Sequence, residues 1–113
     1  MKDAAVSVSP AREGDCTASI EVIGLEPGGD GQSGTVTVQI TIAEGCTNSF
    51  GTYEYDLVIE NTQTGGKQAV SKSRGWQEIG SSGFSRTESY YVGQNERLDD
   101  AENVKVTRCV CIN

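Results

Sequence analysis

The feature that most constrains the fold of this chain is an alternation of apolar and polar residues with a period of two. It recurs in several separate segments, and it is clearest at residues 34–43, where valine and isoleucine alternate with threonine and glutamine. Successive side chains of a β-strand point to opposite faces of a sheet, so the pattern predicts strands with one buried and one wetter face. No segment shows a convincing helical period, and only residues 95–103 are a candidate for a single helical turn.

Glycine-rich turn signals separate the alternating segments. The strongest lie at residues 26–34, 61–67 and 80–83, where Gly supplies positive φ at no steric cost. Strands and turns together predict an all-β sandwich of about seven antiparallel strands in one domain, residues 1–113, with a small barrel as the alternative. The predicted strands cover residues 4–9, 16–25, 34–43, 52–60, 67–74, 84–92 and 103–112.

The sequence predicts the pairing register of one hairpin, which is formed by residues 16–25 and 34–43. If opposing residue numbers sum to 58, every apolar residue faces another apolar residue on the same side of the sheet. This register sets Cys16 opposite Ile42, at the open end of the hairpin. Cys46 follows shortly after Ile42, so we expect both cysteines at the same end of the fold.

The chain has four cysteines, Cys16, Cys46, Cys109 and Cys111, which allow three disulfide pairings. A bond between Cys109 and Cys111 would be strained, because residues i and i+2 of a strand lie roughly 6.5–7 Å apart. The other two pairings send this C-x-C pair to Cys16 and Cys46, in either order. Zinc-bound or free thiols are alternatives, although no C-x-x-C pair is present. Disulfides predict an oxidising location: secreted, cell-surface or periplasmic.

The end of the last predicted strand contains a conflict of parity. Strict alternation would place Arg108 and Val110 on the same face of the strand, and the cysteines on either side of Val110 on the opposite face. If Val110 is buried, the charged Arg108 would be buried with it. A bulge near Thr107, or an Arg108 that is covered by other residues, would resolve this conflict.

Composition excludes several functions. The formal net charge of −7 argues against nucleic-acid binding and against docking on an anionic membrane. The absence of histidine removes the commonest general base and metal ligand, and the serines have no evident base. We therefore predict no enzyme activity, no cofactor and no metal site. No apolar run is long enough to insert into a membrane.

A cluster of acidic side chains is a candidate for a calcium site. The cluster consists of Glu96, Asp99, Asp100 and Glu102, and Asp30 stands alone in a Gly-rich turn. Calcium prefers several carboxylate and carbonyl oxygens, but the alternating pattern of an EF-hand loop is absent. The favoured interpretation is a solvated acidic loop.

The candidate contact residues lie in the less acidic part of the chain. The first 60 residues carry ten acidic and two basic side chains, whereas residues 61–86 carry four basic side chains and one acidic. Within or near this segment Arg74, Trp76 and Arg86 form a basic, aromatic candidate surface, because Trp and Arg are common at protein contacts. Tyr91 is the fourth candidate, since Tyr90 and Tyr91 must point to opposite faces of one strand. The competing interpretation buries Trp76 in the core.

Four stretches of the sequence, GTVTVQITI, YEYDLVIENTQTGG, FSRTESYYV and NVKVTRCVC, carry a resemblance to a known group of domains. They resemble the strands of extracellular bacterial immunoglobulin-like and fibronectin-III-like domains. The resemblance implies an immunoglobulin-like sandwich and an adhesive role, and it carries over no functional residue.

The expected function is a non-enzymatic, extracytoplasmic module that binds or assembles with another protein. A second hypothesis is carbohydrate binding, with a polysaccharide stacked on Trp76 and a tyrosine. A small secreted inhibitor and a structural spacer domain are two further hypotheses. Uncovered strand edges offer a second route to a protein partner.

Overall fold

The computed structural model describes residues 16–29, 31–43, 45–46, 48–80 and 82–112. Within these ranges the chain forms six β-strands and no helix. The strands are β1 (Ala18–Glu26), β2 (Ser33–Ile42), β3 (Asn48–Asn61), β4 (Lys67–Ile79), β5 (Gly83–Tyr91) and β6 (Glu96–Cys111). The all-β prediction is confirmed. The first of the seven predicted strands, residues 4–9, lies outside the described residues.

The strands form two antiparallel sheets of three strands each. In one sheet β2 lies between β1 and β5, and in the other β3 lies between β4 and β6. The two sheets pack face to face, because buried residues from both contribute to one hydrophobic cluster. The immunoglobulin-like topology stays a prediction.

The alternation in the sequence is what builds this core. On β2 the even-numbered positions from Gly34 to Ile42 are buried, while the odd-numbered positions are exposed or partly exposed. On β3 Tyr53, Tyr55 and Leu57 are fully buried, which confirms that this face of the strand points inward. Burial of such large side chains is the main favourable contribution to folding.

The register of the β1–β2 hairpin differs from the predicted one. Ala18, rather than Cys16, lies opposite Ile42, so the opposing residue numbers sum to 60. A β-bulge between Val22 and Gly24 then shifts the pairing by one residue. Both registers place apolar residues opposite apolar residues, and for this reason the sequence pattern alone did not separate them.

The predicted helical turn at residues 95–103 is wrong, because these residues form the first half of β6. Leu98, Ala101 and Val104 are buried and recur every three residues, a spacing that imitates a helix. The spacing arises because the pairing of β6 with β3 is interrupted by shifts in register along this stretch. Each bulge adds a residue and moves the next apolar side chain out of strict alternation.

The predicted bulge near Thr107 is present. Thr52 of β3 pairs with Arg108, but the next residue, Tyr53, pairs with Val106, so Thr107 is the extra residue. The extra residue moves the inward-pointing positions of β6 from even numbers, such as Val106, to odd numbers. Cys109 therefore points into the core and has no exposed surface.

Two disulfides attach the end of β6 to the rest of the fold. Cys16 bonds to Cys109 and Cys46 bonds to Cys111, with Cα–Cα distances of 5.1 and 5.8 Å. This confirms the prediction that both cysteines of the C-x-C pair bond to the upstream cysteines and settles their order. The described residues leave no cysteine free. Such disulfides indicate an oxidising, extracytoplasmic environment.

The two long sides of the sandwich differ in how the sheets are connected, by backbone hydrogen bonds on one side and by side chains on the other. On one side β1 runs beside β6, and backbone hydrogen bonds join them at both ends, from Cys16 N to Cys109 O and from Leu98 N to Pro27 O. On the other side β4 and β5 are the outermost strands of their sheets, and side chains bridge the gap between them. None of the described residues belongs to a helix that could cross a membrane.

Candidate functional site

Three of the four predicted contact residues lie together along the open side between β4 and β5. Arg74 and Trp76 come from β4, and Arg86 comes from β5. Phe84 connects them, because its ring lies 5.9 Å from that of Trp76 and 5.4 Å from the guanidinium of Arg86. We call this group, together with the tyrosines described below, the open-side cluster.

Trp76 is buried, with only 4% of its surface exposed. Its indole Nε1–H donates a hydrogen bond to the hydroxyl of Ser49, at 3.0 Å, and Ser49 is itself fully buried. The prediction of an exposed Trp76 that a partner or a sugar could contact is therefore wrong. The side chain belongs to the core because β4 presents it on the inner face of its sheet, against Tyr53 and Phe84.

Arg74 is paired within the chain. Its Nε–H donates to Glu88 of β5 at 3.1 Å, and the hydroxyl of Tyr53 donates to the other oxygen of the same carboxylate at 3.2 Å. Burial lowers the pKa of Arg74, but the bond to Glu88 and the electrostatic interactions with Glu88, Tyr90 and Tyr55 together outweigh it, so the net shift of the pKa is upward. Burial, followed by the nearby Glu88 charge, raises the pKa of Tyr53. The ion pair of Arg74 and Glu88 therefore connects β4 of one sheet to β5 of the other.

Tyr90 completes the open-side cluster. Its hydroxyl is hydrogen-bonded to that of Tyr55, and the cationic groups of Lys72 and Arg74 lie 5.4 and 5.3 Å from the centre of its ring. Burial is the largest cause of the raised pKa of both tyrosines. Charged side chains that point inward from these edge strands cover the aromatic core.

The cations of the predicted basic surface thus mostly interact with other side chains of the chain. Lys67 forms an ion pair with Asp99 at 3.1 Å, Arg74 is held by Glu88, and Lys72 lies over an aromatic ring. Lys72 and Arg74 connect β4 to β5 across the gap between the sheets, whereas the pair of Lys67 and Asp99 joins β4 to β6 within one sheet.

Tyr91, the fourth predicted contact residue, lies apart from this cluster. Tyr90 is buried and Tyr91 is 72% exposed, which confirms that the two tyrosines point to opposite faces. Tyr91 stands at the end of β5, opposite Ser33, on the outer face of the sheet formed by β1, β2 and β5. Ile23, in the bulge of β1, is the other large exposed apolar side chain of this sheet, at 53%.

The outer face of β2 and β5 carries no charged residue. Ten side-chain positions point outward from these two paired strands, and all are neutral and mostly hydroxyl-bearing. We call this surface the neutral face, and it consists of Ser33, Thr35, Thr37, Gln39, Thr41, Gly83, Ser85, Thr87, Ser89 and Tyr91. The charges of this sheet that point to solvent are on β1, at Glu21 and Glu26.

Hydroxyl groups of the neutral face are bonded across the strands. The side chains of Thr37 and Thr87 share a hydrogen bond of 3.0 Å, in the middle of the β2–β5 pairing. Sequence analysis did not identify this surface as a site. The signal was present in the segments TVTVQIT and SRTES, whose outward positions are all uncharged although 22% of the chain is charged.

The outer face of the other sheet is different in character, because it is covered by paired charges. Lys105 bonds to Glu54 at 3.2 Å and Arg97 bonds to Glu60 at 2.8 Å. Asp56 accepts hydrogen bonds from Asn103 and from a serine of β4, and these bonds lower its pKa. A shallow depression of about 440 Å³ lies among these side chains, but its polar groups are occupied with one another.

The acidic side chains of the candidate calcium site are on β6 and not in a loop. Asp99 pairs with Lys67 and Arg97, the carboxylate of Glu96 accepts from the Gly93 amide, and that of Asp100 accepts from its neighbour's amide. In the part of the chain that the structure describes, no three acidic, cysteine or histidine side chains converge on a point that could hold a metal ion. Asp30 lies outside that part.

Comparison of the chain with protein-family models, with curated proteins and with solved structures finds no match.

Proposed function

We propose that this protein is a non-enzymatic, extracytoplasmic module that binds another protein through its neutral face, with Tyr91 as the anchor. The observation that carries the proposal is the absence of charge from ten adjacent outward positions, one of which is a tyrosine that is 72% exposed. An oxidising location follows from the two disulfides, and we place the protein in the periplasm, at the cell surface or outside the cell.

The composition of the neutral face supports a protein partner. The centres of protein interfaces are depleted in Lys, Glu and Asp and enriched in aromatic residues. Tyrosine supplies a large contact area at low cost in conformational entropy, and serine and threonine supply adaptable hydrogen bonds. Tyr91, Ser89 and Thr35 bring these three types together on neighbouring strands.

The strand pairing supports the further proposal that the sandwich is immunoglobulin-like. In immunoglobulin-like domains the first, second and fifth strands share one sheet, and the third and sixth share the other. The same pairs occur here, with β4 beside β3. Such domains present sheet faces and loops to other proteins.

Carbohydrate binding is the weaker candidate function. Burial of Trp76 removes the large ring on which a sugar would stack, so the predicted platform of Trp76 and a tyrosine is not formed. Tyr91 retains an exposed ring, but a flat surface of hydroxyls without a second aromatic side chain offers a sugar little stacking area.

A matched pair of substitutions tests the neutral face. Thr37 and Thr52 each lie on the central strand of a sheet, and each shares a hydroxyl–hydroxyl bond with a threonine of the neighbouring strand. The immobilised protein and its Thr37→Lys, Tyr91→Ser and Thr52→Lys variants are exposed to an extracytoplasmic extract of the source cells. We expect one captured protein whose affinity falls at least about tenfold for Thr37→Lys and Tyr91→Ser.

Thr52→Lys is the control, since it adds the same charge to the opposite sheet and should leave the affinity unchanged. Equal loss in all three variants, or capture that none of them affects, would exclude the neutral face. Binding to a glycan array that depends on Tyr91, with no protein captured, would replace the proposed function with carbohydrate binding.

A further inference from the structure

The exposed edge of β5 is complementary to itself. β5 is an outermost strand that pairs only with β2, so its other backbone edge has no strand beside it in the described part of the chain. Its central sequence is FSRTESY, residues 84–90. In both directions from Thr87 the residue types correspond: a charge of opposite sign, then serine, then an aromatic ring.

We propose that two copies of this chain pair through β5, antiparallel and about a two-fold axis at Thr87. In this arrangement opposing residue numbers sum to 174. Arg86 lies opposite Glu88 of the second copy, Ser85 opposite Ser89, and Phe84 opposite Tyr90. Opposite charges and aromatic pairs directly across two strands are the favourable cross-strand combinations, and each occurs twice because of the symmetry.

Two-fold axes at the neighbouring charged residues of the same edge are unfavourable. An axis at Arg86 would set this arginine opposite itself, and an axis at Glu88 would set two carboxylates opposite each other. A shift of one residue would place the inner face of one copy beside the outer face of the other. The axis at Thr87 is therefore the arrangement that the charges select.

The second outermost strand facing the open side does not share this property. β4 spans Lys67–Ile79, with Ser73 at its centre. Antiparallel pairing of two copies about Ser73 would set Lys72 opposite Arg74, which repel each other. The inference is consequently specific to β5.

Pairing through β5 would join two sheets into one of six strands. The neutral faces of the two copies would become continuous, because opposing residues of paired strands point to the same side of a sheet. The contact surface would grow from two adjacent strands to four. The dimer does not depend on the partner protein proposed above, and it adds a second copy of the binding surface.

Cysteine cross-linking tests both the dimer and its register. Thr87, Ser85 and Ser89 are exposed on the outer face, so substitution there leaves the core intact. Across a two-fold axis at Thr87 the two Cα atoms would lie about 4.5–5.5 Å apart, which suits a disulfide. Residues 85 of the two copies would lie about 13 Å apart along the strands, which does not.

The Thr87→Cys variant of the full chain, oxidised at micromolar concentration, should migrate as a covalent dimer on a non-reducing gel. Ser85→Cys alone and Ser89→Cys alone should not cross-link and should migrate as monomers, whereas an equal mixture of the two should form the cross-linked dimer. Failure of Thr87→Cys to cross-link, or equal cross-linking by Ser85→Cys, would overturn the proposal.

Sedimentation of variants at Arg86 provides a second readout. Arg86→Glu would turn two attractive pairs into two repulsive ones, and the dissociation constant should rise at least about tenfold. Arg86→Lys, which keeps the charge, should remain close to the wild-type value. A dimer that is unchanged by Arg86→Glu would contradict the pairing. Because the neutral face is intact in that variant, loss of the dimer and loss of partner binding can be distinguished.

Discussion

At the scale of single residues, burial separates the aromatic side chains into structural and surface roles. Trp76 and Tyr90 lie in the core, whereas Tyr91, adjacent to Tyr90, is exposed. Alternation predicted the opposite roles of Tyr90 and Tyr91. It did not determine the role of Trp76. The inner face of β4 carries a lysine and an arginine beside this tryptophan, so the sequence of β4 does not show an apolar face that alternates with a polar one.

The bond between Trp76 and Ser49 should contribute measurably to stability. Trp76→Phe would leave the buried Ser49 hydroxyl without its donor, and the free energy of unfolding should fall by about 1–3 kcal/mol. Ser49→Ala should likewise destabilise the wild type. In the Trp76→Phe background, however, Ser49→Ala should cost less, because the unsatisfied hydroxyl is removed.

Urea denaturation of the wild type, both single variants and the double variant, followed by circular dichroism, measures this coupling. A coupling energy of about 0.5–3 kcal/mol is expected for two residues in contact. Strictly additive losses would show that the hydrogen bond does not contribute to stability.

At the scale of strands, the sequence predicted regular segments well and bulged ones poorly. Strict alternation located β2 and most of β1 and β3. β6 was only half identified, because its bulges place buried residues at 98, 101 and 104. The hairpin register was missed for a different reason, since the predicted and the observed pairing both set apolar residues opposite apolar residues.

The alternation of β6 between Val106 and Cys109 is predicted to be required for both disulfides. Deletion of both Thr107 and Arg108 would place Cys109 directly after Val106, opposite Thr52, and turn Cys109 and Cys111 to the outer face of their sheet, away from Cys16 and Cys46. The purified variant should therefore contain thiols that react with an alkylating agent without prior reduction.

Thr107→Ser is the matched control, because it keeps the chain length and the hydroxyl that bonds to Thr52 at 2.6 Å. It should show no reactive thiol. If the variant that lacks both residues also protects all of its cysteines, the face of β6 that carries Cys109 and Cys111 is not what directs the disulfides.

At the scale of the whole molecule, charge and covalent closure divide the surface into regions. The outer face of the sheet formed by β4, β3 and β6 carries paired charges. Between β4 and β5, charged side chains point inward and lie over aromatic rings. The neutral face carries no charge. Sequence analysis predicted the closure through the cysteines. It predicted a basic, aromatic surface whose Trp76 is buried and whose Arg74 is paired, because a count of charges along the chain does not show which of them pair across sheets.

The two disulfides connect β6 to the start of β1 and to the segment before β3. They join residues 93 and 65 positions apart in the chain. Closing loops of this length would stabilise the fold by about 4–5 kcal/mol each on the chain-entropy argument. The inference of an oxidising location depends on this closure.

Counting thiols in paired cysteine variants tests the closure most directly. Cys16→Ala/Cys109→Ala removes both members of one disulfide, and alkylation of the unfolded, unreduced protein followed by intact mass should find no free thiol. Cys16→Ala/Cys111→Ala removes one member of each, and the same measurement should find two free thiols. The opposite pattern, or reactive thiols in the wild-type protein from its native compartment, would contradict the disulfide-closed sandwich.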